Sequence, residues 1–353
     1  MKTIRITGSG SYIPTQIVTN TDFAQHKFLN QDGTAFPQSN EVIARKFKEI
    51  TGIEERRYVT DDLSTSDIAF LAAEKAIKDS KIDPETLDYI ILAHNFGNVN
   101  SSGIQSDILP SLASRVKHSL KIQNPKCVAY DILFGCPGWL EGFIQAYAFI
   151  KAGIARKCLV IGAETLSRVV DKHDRDSMIY SDGAGATVIE SSDDEGGVLG
   201  HATASYTFEE AYYLFFGKSF NQDHDPDVRY IKMHGRKIYE FGLSTVPQAM
   251  KECLDTSGIP VEKIGKILIH QANEKMDEAI IERFYKLYDQ TPPEGIMPMS
   301  IHKLGNSSVA TIPTLYDMLI KDGFEGHHVQ KGDVVLFASV GAGMNVNAMV
   351  YQL

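Results

Sequence analysis

Apolar residues recur along this chain in two registers that alternate almost from end to end. Runs too apolar on both faces to border water, at residues 3–8, 87–94, 126–132 and 157–163, predict buried strands. Residues 66–80 and 138–152 carry apolar side chains at helical spacing, and a Thr/Ser/Asp cluster suited to capping opens the first. Strands alternating with helices are the mark of an α/β protein. Glycine-rich stretches at 181–186 and 341–343 read as turns that interrupt the pattern.

The pattern also repeats. Residues 80–92 lead from a serine through a short acidic loop into an apolar strand, and they align with residues 257–269. The offset, 177 residues, is half the 353-residue chain, which points to tandem duplication. The seam is expected in the polar stretch 191–197. The halves are then residues 1–190, carrying a candidate nucleophile, and 191–353, carrying its candidate partners.

Composition narrows the classes of function. Apolar residues make up 43% and charged residues 23%, which suits a globular protein and argues against disorder. Acidic residues outnumber basic ones, 45 to 35, so a dedicated nucleic-acid binder is not expected. No apolar run reaches the roughly 18 residues of a membrane span. The opening residues read as a strand running into glycine, not a signal peptide, and a cytoplasmic location is expected. Gly8-Ser-Gly10 imitates a dinucleotide fingerprint, but Ile13 stands where its third glycine belongs. The charged residues 171–176 include metal-ligand types without convergent spacing, so a solvated loop and no metal are expected.

The four cysteines, Cys127, Cys136, Cys158 and Cys253, fit neither a redox pair nor a zinc site by spacing. Three of them fall in apolar strands or a helix and read as small buried hydrophobes. Cys136 alone has glycine before it, proline after it and an apolar helix beyond. A thiol at a helix N-terminus has its thiolate favoured by free backbone N–H groups, which predicts a lowered pKa. In the second half, His270-Gln-Ala-Asn273 closes an apolar strand, and Gly305-Asn306-Ser-Ser follows. A thiol joined by one His and one Asn can take an acyl group and hydrogen-bond a thioester oxygen as it gains charge.

Six motifs add to this: Gly8–Pro14, Thr51-Gly-Ile-Glu-Glu-Arg56, Tyr180-Ser-Asp-Gly-Ala-Gly-Ala186, His270-Gln-Ala-Asn273, Leu304-Gly-Asn-Ser-Ser308 and Gly341-Ala-Gly343. In that order they resemble the thiolase superfamily, and within it the β-ketoacyl-acyl-carrier-protein synthase III group. The resemblance implies a duplicated five-layer α-β-α-β-α fold, usually homodimeric, with the active site between the halves. It implies that Cys136 accepts the acyl group. His270 and Asn306 would stabilise the enolate left when malonyl-carrier protein loses carbon dioxide. The N–H groups of Cys136 and of Ala342, in the turn Gly341–Gly343, would form the oxyanion hole. Asn273 would stand behind His270, and Lys275 would dock the acyl carrier protein. No metal or cofactor is implied beyond the coenzyme A or phosphopantetheine that carries the thioesters.

Details separate this chain from other branches that it resembles less. There is no second cysteine at the C-terminal glycine turn, as degradative thiolases need. Asn306 stands where elongating synthases place a second His. Residues 93–100 lack the glutamate of hydroxymethylglutaryl-CoA synthases. Plant-type polyketide synthases share the Cys, His and Asn. Two departures from the group concern the acyl donor. Lys46 and Ile50 replace an aromatic residue and an arginine that usually hold the coenzyme A nucleotide. The segment 99–126 is long, offering Ile104, Ile108 and Leu109 as pocket-lining candidates. A donor longer than acetyl, delivered on a carrier protein, is expected. The same residue set also suits acyl transfer to oxygen or nitrogen, or condensation of two acyl chains. A non-catalytic partner subunit is the reading from another class, and such subunits commonly lack the nucleophile present here.

Overall fold

The computed structural model describes residues 2–101, 103 and 105–353; Ile104 lies outside the described residues. The first sheet contains β1 (Thr3–Tyr12), β2 (Tyr89–Ala93), β3 (Val128–Ile132), β4 (Lys157–Thr165) and β5 (Asp182–Ser192), in the spatial order β1-β5-β4-β2-β3. The second contains β6 (Gly197–Ser205), β7 (Ile264–Ile269), β8 (Val334–Gly341) and β9 (Asn345–Gln352), in the order β6-β9-β8-β7. One order repeats: first strand, last, last but one, second. Among the described residues only β3, on an edge, has no counterpart. In each half the second and last-but-one strands run parallel, β2 with β4 and β7 with β8, while the last strand is antiparallel to both its neighbours. The polar residues 193–196 separate β5 from β6.

Among the described residues, the helices longer than one turn are α1 (Asn40–Thr51), α2 (Thr65–Ser80), α3 (Leu112–Ser119), α4 (Gly138–Lys151), α5 (Gly235–Ser257), α6 (Glu274–Lys286) and α7 (Thr311–Lys321). Ser64 and Asp67 form a capping box at the start of α2, as the polar cluster predicted. Ile68 and Ala76 of α2 and Val116 of α3 cover one face of the first sheet. On its other face Trp139 and Phe143 of α4 and Leu315 of α7 meet Ile91 and Val160. The same two helices meet Phe337 and Tyr351 of the second sheet, so they form the middle layer. Val246 of α5 and Phe284 of α6 cover the outer face of that sheet. The expected α-β-α-β-α order results, and the strands read as unbroken apolar runs because both faces of each sheet are covered.

Two expectations fail here, for identifiable reasons. Residues 182–186 open the eleven-residue strand β5 and are not a turn. Gly185 serves close approach: a Cβ there would lie 2.7 Å from Pro313 of α7. The glycines near the N-terminus act likewise. β1 runs on through them to Tyr12, and a Cβ on Gly10 would lie 2.5 Å from the Ala72 carbonyl of α2. Residues 171–176 are not a solvated loop either. Asp171 and Asp174 are buried and both accept from Lys232 Nζ, at 2.7 and 2.9 Å. Lys232 sits on the hairpin of Leu214–Gly217 and Tyr230–Met233, so the pair anchors that hairpin to the first half. Among the described residues no helix is long and apolar enough to cross a membrane.

Candidate active site

Cys136 lies in the turn between β3 and α4, where Gly135 takes a left-handed φ of 67°. The last strands of the second half bring Gly341 and Ala342 directly onto this turn. A Cβ on Gly135 would lie 2.5 Å from the Ala342 nitrogen, and one on Gly341 would overlap the Cys136 nitrogen. The backbone nitrogens of Cys136 and Ala342, from opposite halves, therefore lie on two turns in direct contact. Asn345, which sequence reasoning did not single out, joins the turns. Its Nδ2 donates to the Ala342 carbonyl at 2.9 Å and to the Phe134 carbonyl at 3.3 Å. Gly343 does not line the cavity; its φ of 77° turns the chain back into β9.

His270 follows β7, and its backbone N–H donates to the Ala338 carbonyl of β8 at 2.9 Å. Burial pushes its imidazole down to about 4, so the ring is neutral at physiological pH with one N–H to donate. The Ser308 backbone lies beside the ring and favours protonation slightly, but Nδ1 has no partner in hydrogen-bond geometry. Asn306 is held through its backbone, donating to Ile179 at 3.0 Å and accepting from Ser181 at 2.8 Å. Its Oδ1 accepts the Ser308 N–H at 2.8 Å, which fixes the amide and leaves Nδ2 to donate elsewhere. Asn273 caps α6, accepting the Met276 N–H at 3.1 Å. Gln271, buried, clamps the chain before Asn306: Nε2 donates to the Pro298 carbonyl at 2.8 Å, and Oε1 accepts the Ser300 N–H at 2.8 Å. Arg56 of the Thr51–Arg56 motif is also buried, donating to the Met178 and Val18 carbonyls and to Asn20.

Cys136, His270, Asn306, Asn273, Gly341 and Ala342 all line one cavity of about 1110 Å³. Its walls include Ile43, Phe47, Phe96, Leu214, Phe215 and Met276, and Lys46, Ile50, Arg175, Arg236 and Lys237 also line it. The aromatic missing at position 46 has a counterpart here: Phe36 lines the cavity with the Arg175 guanidinium stacked 5.4 Å from its ring centroid. Lys275 is exposed near the start of α6 and does not line the cavity. Ile108 and Leu109 are not wall residues of this chain either. They are 56% and 86% exposed, because the segment holding them runs outside the first sheet before α3.

The expected low thiol pKa does not hold. Burial pushes Cys136 up to about 11, outweighing a Ser308 hydroxyl that donates to its sulfur at 3.4 Å. Cys127, Cys158 and Cys253 are also raised, and they are buried away from the cavity. Position singles out Cys136; acidity does not. A second buried acid, Glu164 of β4, was also missed. Its Oε1 accepts from Asn95 N–H at 2.7 Å and Nδ2 at 2.6 Å, and burial pushes it up to about 8. A lone carboxylate ending the apolar run 158–163 was the available signal. Residues 93–100 thus lack a carboxylate of their own but hold one from β4.

The chain matches the family model for 3-oxoacyl-[acyl-carrier-protein (ACP)] synthase III over residues 130–207, and its C-terminal model over residues 254–353. It is 30% identical over 352 residues to the beta-ketoacyl-[acyl-carrier-protein] synthase III of Erythrobacter litoralis, with 98% of each chain covered. The synthase III of Caldanaerobacter subterraneus is 32% identical over 345 residues, covering 96% of this chain and 94% of that relative. Among solved structures, the 3-oxoacyl-[acyl-carrier-protein] synthase III from Aquifex aeolicus matches with a TM-score of 0.80 at 30% identity, over 99% of this chain and 100% of that one.

A raised thiol pKa has a measurable sign. Only the thiolate reacts with iodoacetamide, so alkylation of Cys136 should climb roughly tenfold per unit from about pH 7 to about pH 9 without levelling. Intact mass should show one adduct, lost in Cys136→Ala. A plateau already reached near neutrality would instead mean that the helix terminus outweighs burial.

Proposed function

This chain belongs to the 3-oxoacyl-[acyl-carrier-protein] synthase III family, and from that premise we propose that it is an acyltransferase joining an acyl thioester to malonyl-carrier protein by decarboxylative condensation. The observation that carries this reading is the convergence of Cys136, His270, Asn306 and the Cys136 and Ala342 backbone on one cavity.

Cys136 attacks the donor thioester, forming a new thioester and expelling the carrier thiol, which leaves with the cysteine proton. The oxygen that becomes negative during attack receives the N–H groups of Cys136 and Ala342. Malonyl thioester then loses carbon dioxide. The electron pair passes to its thioester oxygen, where neutral His270 and Asn306 Nδ2 donate. The enolate carbon attacks the acyl carbonyl, a carbon–carbon bond forms, and the Cys136 sulfur leaves and takes a proton from solvent. The β-ketoacyl group remains on the carrier. Thioesters on coenzyme A or phosphopantetheine are substrates in this scheme. The cations along the cavity and exposed Lys275 suit an acidic carrier despite the net charge of −10.

The donor proposed is longer than acetyl, in keeping with the size and apolar walls of the cavity. Phe36 and Arg175 leave coenzyme A a competent carrier as well. The partner proposed is a second copy of the chain. β3 is an edge strand, and Val128 on it, Leu133 just after it, and Ile108 and Leu109 in the segment before α3 are exposed, a combination that invites strand pairing.

Three measurements test these statements. His270→Ala and Asn306→Ala should still accept an acyl group on Cys136 while malonyl decarboxylation falls by about 10²–10³. Equal loss of both half-reactions would mean that they support the sulfur instead. Acylation should be faster with octanoyl-CoA or octanoyl-carrier protein than with acetyl-CoA, and a clear acetyl preference would sink the longer-donor proposal. Light scattering should give about twice the 39.1 kDa chain mass, reduced in the double variant Leu109→Glu, Leu133→Glu. A monomeric wild type would rule the dimer out.

A further inference from the structure

A hydrogen-bonded chain reaches Cys136 from the first half of the molecule, separate from His270 and Asn306. It begins at Glu164, whose side chain is wholly buried and whose Oε2 has no partner. Oε1 accepts two bonds from Asn95, one from the backbone N–H at 2.7 Å and one from Nδ2 at 2.6 Å. Asn95 Nδ2 then donates to Ser308 Oγ at 3.2 Å, and Ser308 Oγ donates to Cys136 Sγ at 3.4 Å.

The direction of every bond in this chain is set at its far end. Oε1 already accepts the Asn95 backbone N–H, so with any carboxyl proton on the unpartnered Oε2 a flipped Asn95 amide would put its oxygen against Oε1, an acceptor against an acceptor. With the NH₂ group facing Glu164, its second hydrogen goes to Ser308. A hydroxyl that accepts there keeps its own proton for the sulfur. Ser308 holds this position at a φ of 54°, left-handed for a residue with a side chain. Backbone of that kind costs energy and persists where the surroundings over-determine it, commonly at functional sites.

We propose that Glu164 and Asn95 are positioning residues that aim the Ser308 hydroxyl at Cys136 Sγ, so that the hydroxyl donates whenever the sulfur carries charge. The inference rests on the reading of Cys136 as the acylated nucleophile. The sulfur is negative twice in that reaction, as it attacks the donor and as it leaves the condensed product. A hydrogen bond to the charged form favours it at both points. Burial acts with this arrangement by keeping much of Glu164 neutral near pH 7, since an ionised Glu164 opposes the thiolate. The other titratable groups around the sulfur are His270 after β7 and Tyr180 before β5, with Asp174, Asp176, Asp182 and Arg168 behind them.

The test is the pH profile of Cys136 alkylation by iodoacetamide, without substrate, read by intact mass beside a thermal melt. Asn95→Leu, Glu164→Leu and Ser308→Ala should each displace the profile upward, lowering the rate near about pH 8 by roughly 10–100-fold. Glu164→Gln should rescue the rate, because an amide oxygen can accept both Asn95 bonds while carrying no charge. A merely structural role would lower the melting temperature and leave the profile in place. If Asn95→Leu fails to fold, Ser308→Ala removes only the terminal hydroxyl and decides the same question. A wild type that is not labelled at Cys136 would bring down the nucleophile reading itself. A labelled wild type whose profile superimposes on those of Asn95→Leu and Ser308→Ala would overturn only the positioning chain.

Discussion

The contact on which the rest depends is backbone against backbone. The Gly135–Cys136 turn of the first half is seated on the Gly341–Ala342 turn of the second, with no room for a Cβ at Gly135 or Gly341. Each turn follows a strand of its own sheet, so the sulfur meets its backbone donors only if two separate sheets are held in register. A misplacement of about 1 Å can cost about 10² in rate. The middle layer supplies the register. Trp139 of α4 lies 5.7 Å from Phe143 and 5.9 Å from Phe337 of the second sheet, edge to face, and Phe143 lies 6.1 Å from Tyr351. α4 begins just after Cys136, so the helix that packs the sheets together also fixes the turn that holds this thiol.

Legibility in the sequence followed the range of the interaction. Cys136 stood out through its immediate neighbours, glycine, proline and an apolar helix. His270 and Asn306 stood out as ends of apolar runs inside short motifs. The duplicated strand order was visible in one matched segment because each half repeats the same helix, loop and buried strand. Glycines misled where they serve packing: Gly185 allows α7 to approach β5, and a one-dimensional pattern cannot tell that use from a turn.

Polar residues whose partners are remote in sequence were not legible at all. Asn95 meets Glu164 across 69 positions and Ser308 across 213, and Asp171 meets Lys232 across 61. Read alone, each is a loop residue or a solvated charge. Their meaning comes from burial, since an unpaired buried charge costs far more than the pair. Phe36 escaped for the same reason, as its partner Arg175 lies far along the chain.

Burial also explains why the helix-terminus argument for a ready thiolate does not settle the resting state. The same dehydrated walls push His270 down and Cys136 and Glu164 up, each toward its neutral form. Among the described residues the cavity therefore has no preformed ion pair beside the sulfur. It holds donors: an imidazole N–H, the Asn306 amide, two backbone N–H groups and the Ser308 hydroxyl. These are oriented before any charge appears, and at a buried site such donors act more strongly on charge that develops during reaction than they would in water. A neutral imidazole fits this logic better than a charged one. In the proposed reaction it would donate to the enolate oxygen without attracting the malonyl carboxylate that must be lost as carbon dioxide. Burial slows the first attack by raising the thiol and strengthens every later step in which charge moves onto oxygen or sulfur. An environment of this kind favours transition states over resting charges, which is how interactions accelerate chemistry without only tightening binding.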